Sequence, residues 1–406
     1  MKKLHFPSLT PQNSEALRLA AAQGTFWASM AIGGYQTVYL QNNGFPAAQF
    51  GLLNAIACAV AILSMTFWGM VSDRIGGVRK ITMLTLFLGV TLFAFVPLIP
   101  TGQPYSALLF LILLPFINFF RAPMSAFVDN ITVRNCAENG LNYGSVRSSG
   151  SFWYAVAGIL CVNLLIPAFG VNATFYVSAF VMVPSIVLIF FCREPLSGGR
   201  AKRSRMGAGE LFKKRAFLAF LIFGFFFYVG TAFESNFLPY LMTSIGIDST
   251  NVGLALAIRA LMEIPFLFFI LKLRRRFPLR YLIMLSAVFM GVECLMLSFF
   301  VTTLSEFLVF ASLFGLGNGL FLGTATNYVY ELAPVHLRAT AHGLFVSVSQ
   351  IAGILGNLLG GFLFDAVGGK TFYLFAGGLM FLSILVFAAS FVRRKGAAQA
   401  EQPFQA

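Results

Sequence analysis

The sequence predicts an all-α membrane protein, with twelve transmembrane helices in two pseudo-symmetric halves of six. Three observations carry that expectation. Of the 406 residues, 58% are apolar and only 10% are charged, and Phe alone supplies 48. A soluble domain carries about 25% charge, so a soluble globule, a disordered chain and a coiled coil are excluded. The apolar residues fall into long runs, and crossing a bilayer takes about 20 residues. Lys and Arg are concentrated in every second connection between those runs. The runs lack the alternation of an outer-membrane barrel.

In order, the runs predict helices over 17–40, 48–71, 80–99, 105–131, 145–168, 172–192, 216–242, 251–272, 278–301, 304–332, 339–366 and 370–392. Short polar or Gly/Pro segments separate them. Lys2 and Lys3 precede the first run. Arg74, Arg79 and Lys80 follow the second, Arg134 the fourth, and a basic stretch from Arg193 to Arg215 the sixth. Lys272 to Arg280 follow the eighth, Arg338 the tenth, and Arg393 to Lys395 the twelfth. The other connections hold almost no Lys or Arg, Lys370 excepted. The positive-inside rule makes the basic side cytoplasmic. Both termini are therefore expected inside, in a multi-pass protein of the cytoplasmic (inner) membrane. The net charge of +14 then reports orientation and attraction to anionic lipid, not a nucleic-acid partner.

Residues 1–16 read as a cytoplasmic tail without a cleavable signal, and 17–192 as the first six-helix half. Residues 193–215, rich in Gly and Lys/Arg, read as a cytoplasmic linker, 216–392 as the second half, and 393–406 as a cytoplasmic tail. The halves echo each other. Basic loops follow helices 2 and 8, and Arg134 and Arg338 follow helices 4 and 10. Such duplication builds many secondary transporters.

Gly69-x-x-x-Asp73-Arg74-x-Gly76-x-x-Arg79 resembles the loop signature of the major facilitator superfamily. The second copy has Arg274 where the acid aligns. Pro334-x-x-x-Arg338-Ala339-x-Ala341-x-Gly343 resembles that family's segment between helices 10 and 11. The resemblance implies the major facilitator fold, alternating access, and a gating role for Asp73, Arg74, Gly76 and Arg79. A finer resemblance points to the lactose-permease and phenylpropionate-permease branch of proton symporters. Ala122-Pro123, Asp129, and Tyr143-Gly144-x-x-Arg147-x-x-Gly150-Ser151-x-x-Tyr154 carry it. In that branch the acid and the arginine belong to the substrate site. Phe233-Glu234-x-x-Phe237 resembles its helix 7, and Glu263 stands where its helix 8 carries a glutamate for binding and coupling. The departures argue against lactose itself. Ala311, Phe314 and Gly317 replace a Lys, a His and a Glu on helix 10, and Glu293 replaces the helix 9 arginine.

A charge at the bilayer centre costs about 2.5–3.5 kcal/mol on insertion scales, so each one inside a run needs a partner or a task. Asp129 and Arg147 lie on antiparallel neighbours and read as substrate ligands or as a structural ion pair. Arg121, eight residues before Asp129 on roughly the same face, reads as a cavity residue or a packing anchor. Arg259 and Glu263 share a face at i,i+4 spacing. They read as a self-neutralising pair or as cavity residues, with Pro265 weakening the helix beside them. Glu234 and Glu293 show no local cation and read as proton carriers or as neutral hydrogen-bonded acids. Glu306, Glu331 and Asp365 lie near helix ends and read as solvated.

Tyr35, Gln36, Asn236, Asn318 and Gln350 are candidate substrate contacts, the alternative being interhelical hydrogen bonds. Trp153 and Tyr154 are candidates to stack on a sugar or aromatic ring, the alternative being packing. Gly315-x-x-x-Gly319 and Gly356-x-x-x-Gly360 read as close-packing points. Asp129, Glu234, Glu263 and Glu293 are the proton-coupling candidates.

Gly368-Gly369-Lys370-Thr371 lacks the first glycine of a phosphate loop, with Phe at 364. The three His form no triad or metal pattern, and the five Cys show no CxxC spacing. No enzyme activity, metal or cofactor is expected. The expected function is secondary active transport by a monomer. It is proton-coupled uptake of a small polar solute such as a sugar, a nucleoside or a small aromatic acid. The alternative is proton-coupled efflux of a drug or metabolite, against which the embedded arginines argue.

Overall fold

The computed structural model describes residues 11–75, 77–141, 143–192 and 208–400. Gly76 of the loop signature, the start of the predicted N-terminal tail and most of the predicted linker lie outside these residues. The described residues hold helices and no strand. In the first part of the chain the helices are α1 (Pro11–Gly33), α2 (Gln36–Asn42), α3 (Ala47–Ile75), α4 (Val78–Ala94), α5 (Ser106–Arg121), α6 (Met124–Glu138), α7 (Tyr143–Leu160), α8 (Ile166–Phe169) and α9 (Ala173–Phe190). In the second part they are α10 (Ala208–Lys213), α11 (Arg215–Asn236), α12 (Leu238–Ser244), α13 (Val252–Arg276), α14 (Leu279–Phe299), α15 (Leu304–Leu332), α16 (Arg338–Val367) and α17 (Gly369–Ala400).

Among the described residues, eleven helical segments are long and apolar enough to cross a membrane. The first predicted run is the more polar remainder, because α1 carries Glu15 and Arg18 in its first half and Gln23 just beyond it. Helices satisfy every backbone group internally, which is why a bilayer admits them.

Several runs are broken where their sequence lacks the means to continue. The consecutive Gly33 and Gly34 end α1, and the chain resumes as α2 at Gln36. Pro123 cannot donate to the carbonyl of Phe119. That carbonyl instead accepts Trp68 Nε1 at 3.1 Å and the Ser64 hydroxyl. A π turn over Cys161–Leu165 precedes Pro167, which also lacks an N–H. Two boundaries differ from expectation. A short helix, α10, occupies part of the predicted linker, and α17 runs on to Ala400 through an Ala- and Arg/Lys-rich stretch of good helix formers.

The contacts divide the chain into two compact units, Met1–Tyr39 with Val60–Gly199, and Leu40–Ala59 with Arg200–Ala406. The core of the first contains Phe26, Leu86, Met124, Val128 and Met182. The core of the second is dominated by Phe. Phe220 stacks on Phe345 at 5.1 Å and Phe227 on Phe321 at 4.3 Å. The start of α3 belongs to this second unit. Tyr240 donates to Phe45 O at 2.9 Å, and Ala48 N donates to Asp365 Oδ2 at 2.8 Å. Asp365 thus stands at the α3 N-terminus, where a carboxylate is favoured.

The two glycine motifs do pack. A Cβ on Gly315 would lie 2.2 Å from Arg259 O, and one on Gly319 2.6 Å from Glu263 O. Without side chains there, α15 presses onto the α13 turns that carry those two charges. We expect Gly315→Ala to lower the stability of the purified protein by about 1–3 kcal/mol through overpacking. Gly378→Ala, where a Cβ meets nothing within 4 Å, is expected to leave it unchanged. Denaturant unfolding in detergent distinguishes the two.

Candidate functional site

Each unit holds a polar cluster inside its spans. In the first unit the cluster is built on α1, α6 and α7. Gln23 is fully buried, and its Nε2 donates to Asp129 Oδ1 and to Thr132 Oγ1, both at 2.9 Å. Its Oε1 accepts Trp27 Nε1 at 2.9 Å. Arg147 Nε lies 3.6 Å from Asp129 Oδ1, and its guanidinium stands 4.2 Å over the Trp27 ring. Tyr143, at the start of α7, lies close enough to Asp129 and Arg147 to interact electrostatically with both. Tyr154 meets Trp27 edge-on at 6.3 Å. The arginine and the acid keep about a third of their side chains exposed, 28% and 33%, so the pair is not sealed in the core. Gly150 makes the arrangement possible, since a Cβ there would lie 2.5 Å from Trp27 Cδ1.

Arg121 lies apart from this cluster. Its guanidinium stands 3.6 Å over Phe93, and Nη1 is 3.5 Å from Gln36 Oε1. Tyr35, beside Gln36, is buried.

The second unit holds a drier cluster. Arg259 on α13 donates through Nη1 to Glu234 Oε2 at 3.3 Å and through Nη2 to Glu234 Oε1. The same Nη2 donates to Glu293 Oε1 at 2.6 Å. The two glutamates are fully buried and the arginine nearly so. Phe314 presents its ring face 4.3 Å from the guanidinium, Ser235 Oγ donates to Glu234 Oε2 at 2.8 Å, and Tyr373 OH donates to Glu234 O at 2.6 Å. Among the described residues, Glu293 Oε2 has no hydrogen-bond partner. One turn along α13, Glu263 Oε1 accepts Asn318 Nδ2 at 2.7 Å. Asn236 Nδ2 donates to Asn357 Oδ1 at 2.8 Å.

These positions correct several expectations. Glu234 and Glu293 do have a cation, Arg259, although it lies on another helix. Arg259 turns to them instead of closing an i,i+4 pair with Glu263, which binds Asn318. The Pro123 kink falls between Arg121 and Asp129, and the two do not share partners. Trp153 points away from the Asp129–Arg147 cluster. It lines an apolar groove of about 490 Å³ with Gly24, Ile32 and Leu160. Gln350 is half-buried, with no hydrogen-bond partner among the described residues. Of the loop signature, Asp73 and Arg74 are exposed, while Arg79 Nη1 donates to Phe190 O at 3.1 Å and Cys192 O at 2.7 Å, capping α9. Among the described residues no group of three or more His, Cys, Asp or Glu is disposed to hold a metal.

Sequence reasoning missed Gln23 and Trp27, and it named Tyr143 only within the motif that carries the family resemblance. The usable signal was the i,i+4 spacing of Gln23 and Trp27 in an otherwise apolar stretch. Removing the shared cation is the sharpest test of the buried cluster. We expect Arg259→Met to cost roughly 3–5 kcal/mol, because two buried carboxylates lose their partner. Adding Glu234→Gln and Glu293→Gln is expected to restore part of the loss in the same unfolding assay.

The sequence model of the MFS_1 like family matches residues 25–375. The maltose permease of Geobacillus stearothermophilus is 24% identical over 370 residues, covering 89% of this chain and 90% of its own. The putative nucleoside transporter YegT of Escherichia coli (strain K12) is 25% identical over 358 residues, covering 81% of this chain and 79% of its own. The crystal structure of the nucleoside transporter NupG matches the fold with a TM-score of 0.76 at 16% identity, over 94% of this chain and 99% of that one.

Proposed function

The chain belongs to the MFS_1 like family of membrane transporters, not to a family of enzymes, and on that premise we propose that it takes up a small polar solute together with protons. The observation that carries this reading is the charge count of the Glu234–Arg259–Glu293 cluster. With both carboxylates ionised it has one negative charge in excess, inside a fully buried site. A net charge in a low-dielectric interior is costly, and one proton removes it. Glu293 is the natural acceptor, because among the described residues its Oε2 has no partner while both oxygens of Glu234 are engaged.

The solute site of this proposal is the partly exposed cluster of the first unit. Asp129, Arg147, Gln23 and Tyr143 offer donors and acceptors, and Trp27 and Tyr154 offer ring faces for a sugar or an aromatic ring. The maltose and nucleoside relatives favour a sugar or a nucleoside, and the arginines favour an acid. Efflux of cationic compounds fits less well, since Arg121 and Arg147 repel cations. Glu263, hydrogen-bonded to Asn318 one turn from Arg259, is a second proton-accepting position.

In this mechanism protonation of Glu293 neutralises the buried cluster and favours the solute-loaded form, and exposure then alternates between the two faces of the membrane. The loop of Asp73, Arg74 and Arg79 takes part in gating. Its Lys and Arg residues, with those of the other basic connections, support a cytoplasmic-membrane protein with both termini inside.

Uptake of labelled maltose, uridine and benzoate into energised vesicles tests the reading. At least one is expected to accumulate, and a protonophore is expected to abolish accumulation. Glu293→Gln is expected to lose accumulation but keep solute exchange at equal concentrations. Accumulation that a protonophore leaves unchanged contradicts proton coupling.

A further inference from the structure

Among the described residues, Arg121, Arg147 and Arg259 lie in the interior of apolar spans, and their settings differ. Arg147 has Asp129, and Arg259 has two glutamates. Among the described residues no carboxylate lies within ion-pair distance of Arg121. What it has is the Phe93 ring face at 3.6 Å and one long contact, 3.5 Å, to Gln36 Oε1. A guanidinium carries five N–H donors in a fork that suits carboxylate and phosphate. Most of those donors are unmet by the protein. A ring face offsets only part of the cost of an uncompensated cation at that depth.

The backbone opens around this cation. α1 stops at Gly33 and resumes as α2 at Gln36, the residue that meets Arg121. α5 ends at Arg121 itself, directly before the Pro123 kink. Interrupted helices in membrane carriers mark solute sites. A Cβ on Gly33 would stand 3.2 Å from Arg121 Nη2, so the glycine leaves space beside the fork. Ser64 and Trp68 satisfy the carbonyl freed by Pro123. That carbonyl therefore needs no donor from the arginine.

We propose that Arg121 recognises an anionic group, a carboxylate or a phosphate, on the transported solute, with Phe93 holding the guanidinium plane in place. This deepens the uptake reading above and rests on it. It narrows the solute to an acid.

The test is ligand-induced stabilisation of the purified full chain in phosphatidylcholine nanodiscs, which contain no anionic lipid. Matched probes are benzoate against benzamide, glucuronate against glucose, and uridine 5′-monophosphate against uridine, so carboxylate and phosphate are read separately. At least one acid is expected to raise Tm while its neutral partner does not. Arg121→Gln is expected to weaken that acid by about tenfold to a hundredfold, the range for a lost charge-assisted hydrogen bond. Arg121→Lys is expected to weaken it less. If Arg121→Gln fails to fold, Gly33→Ala, which crowds the fork and keeps the charge, is expected to weaken the acid.

Four results overturn the proposal: no acid stabilises; a neutral probe stabilises as well as its acid; acid binding survives Arg121→Gln, or Gly33→Ala where the former does not fold; or phosphatidylglycerol added to the nanodisc displaces the acid, which assigns the arginine to lipid. The uptake reading fails separately, if an acid that binds through Arg121 is not accumulated by vesicles.

Discussion

Arg259, held between Glu234 and Glu293, is the interaction on which the second unit is organised. It ties α13 to α11 and α14, with the arginine nearly buried and both carboxylates fully so. The neighbouring helices are shaped to fit it. α15 meets α13 at Gly315 and Gly319, beside the carbonyls of Arg259 and Glu263, and supplies Phe314 to the guanidinium face. α17 supplies Tyr373 to the Glu234 carbonyl. Five helices therefore converge on three charged side chains. One partner cannot be removed without stranding the others, and in the proposed cycle the cluster changes its charge by gaining or losing a proton.

The first unit uses charge differently. Its Asp129–Arg147 pair is half open, shared with the buried amide of Gln23 and roofed by Trp27. Its interior charges, Asp129, Arg121 and Arg147, sum to one positive, whereas Glu234, Glu263, Glu293 and Arg259 of the second unit sum to two negative when ionised. A solute that brings an anion and a second species that brings a proton would complement those two imbalances. That division gives each cluster a separate part in the proposed cycle.

Much of the fold was legible because a bilayer forces apolar runs into helices, and the runs are long. The charged candidates were legible for the same reason: an acid or an arginine stands out in an apolar run. Their partners were not. Arg259 and Glu263 share a helix face, yet the guanidinium found two carboxylates on other helices, a choice that only tertiary packing makes. Trp153 and Tyr154 are adjacent, but one residue turns a helix by about 100°. Only Tyr154 reaches the Trp27 ring, while Trp153 turns to the groove beside Gly24. Gln23 stayed hidden because a lone glutamine in a span has no composition signal, although its two oxygen partners and Trp27 make it the hub of the cluster. The kinks at Gly33–Gly34 and Pro123 were visible as residues, but their convergence on Arg121 was not.

Infrared difference spectroscopy of the purified protein across a pH step reads the protonation of individual carboxyl groups and reaches the central claim directly. The account predicts a protonated-carboxyl C=O band within the pH range that supports uptake, absent in Glu293→Gln and retained in Glu263→Gln. A band that persists in Glu293→Gln, or no carboxyl band in that range, would contradict the assignment of the proton to the Arg259 cluster.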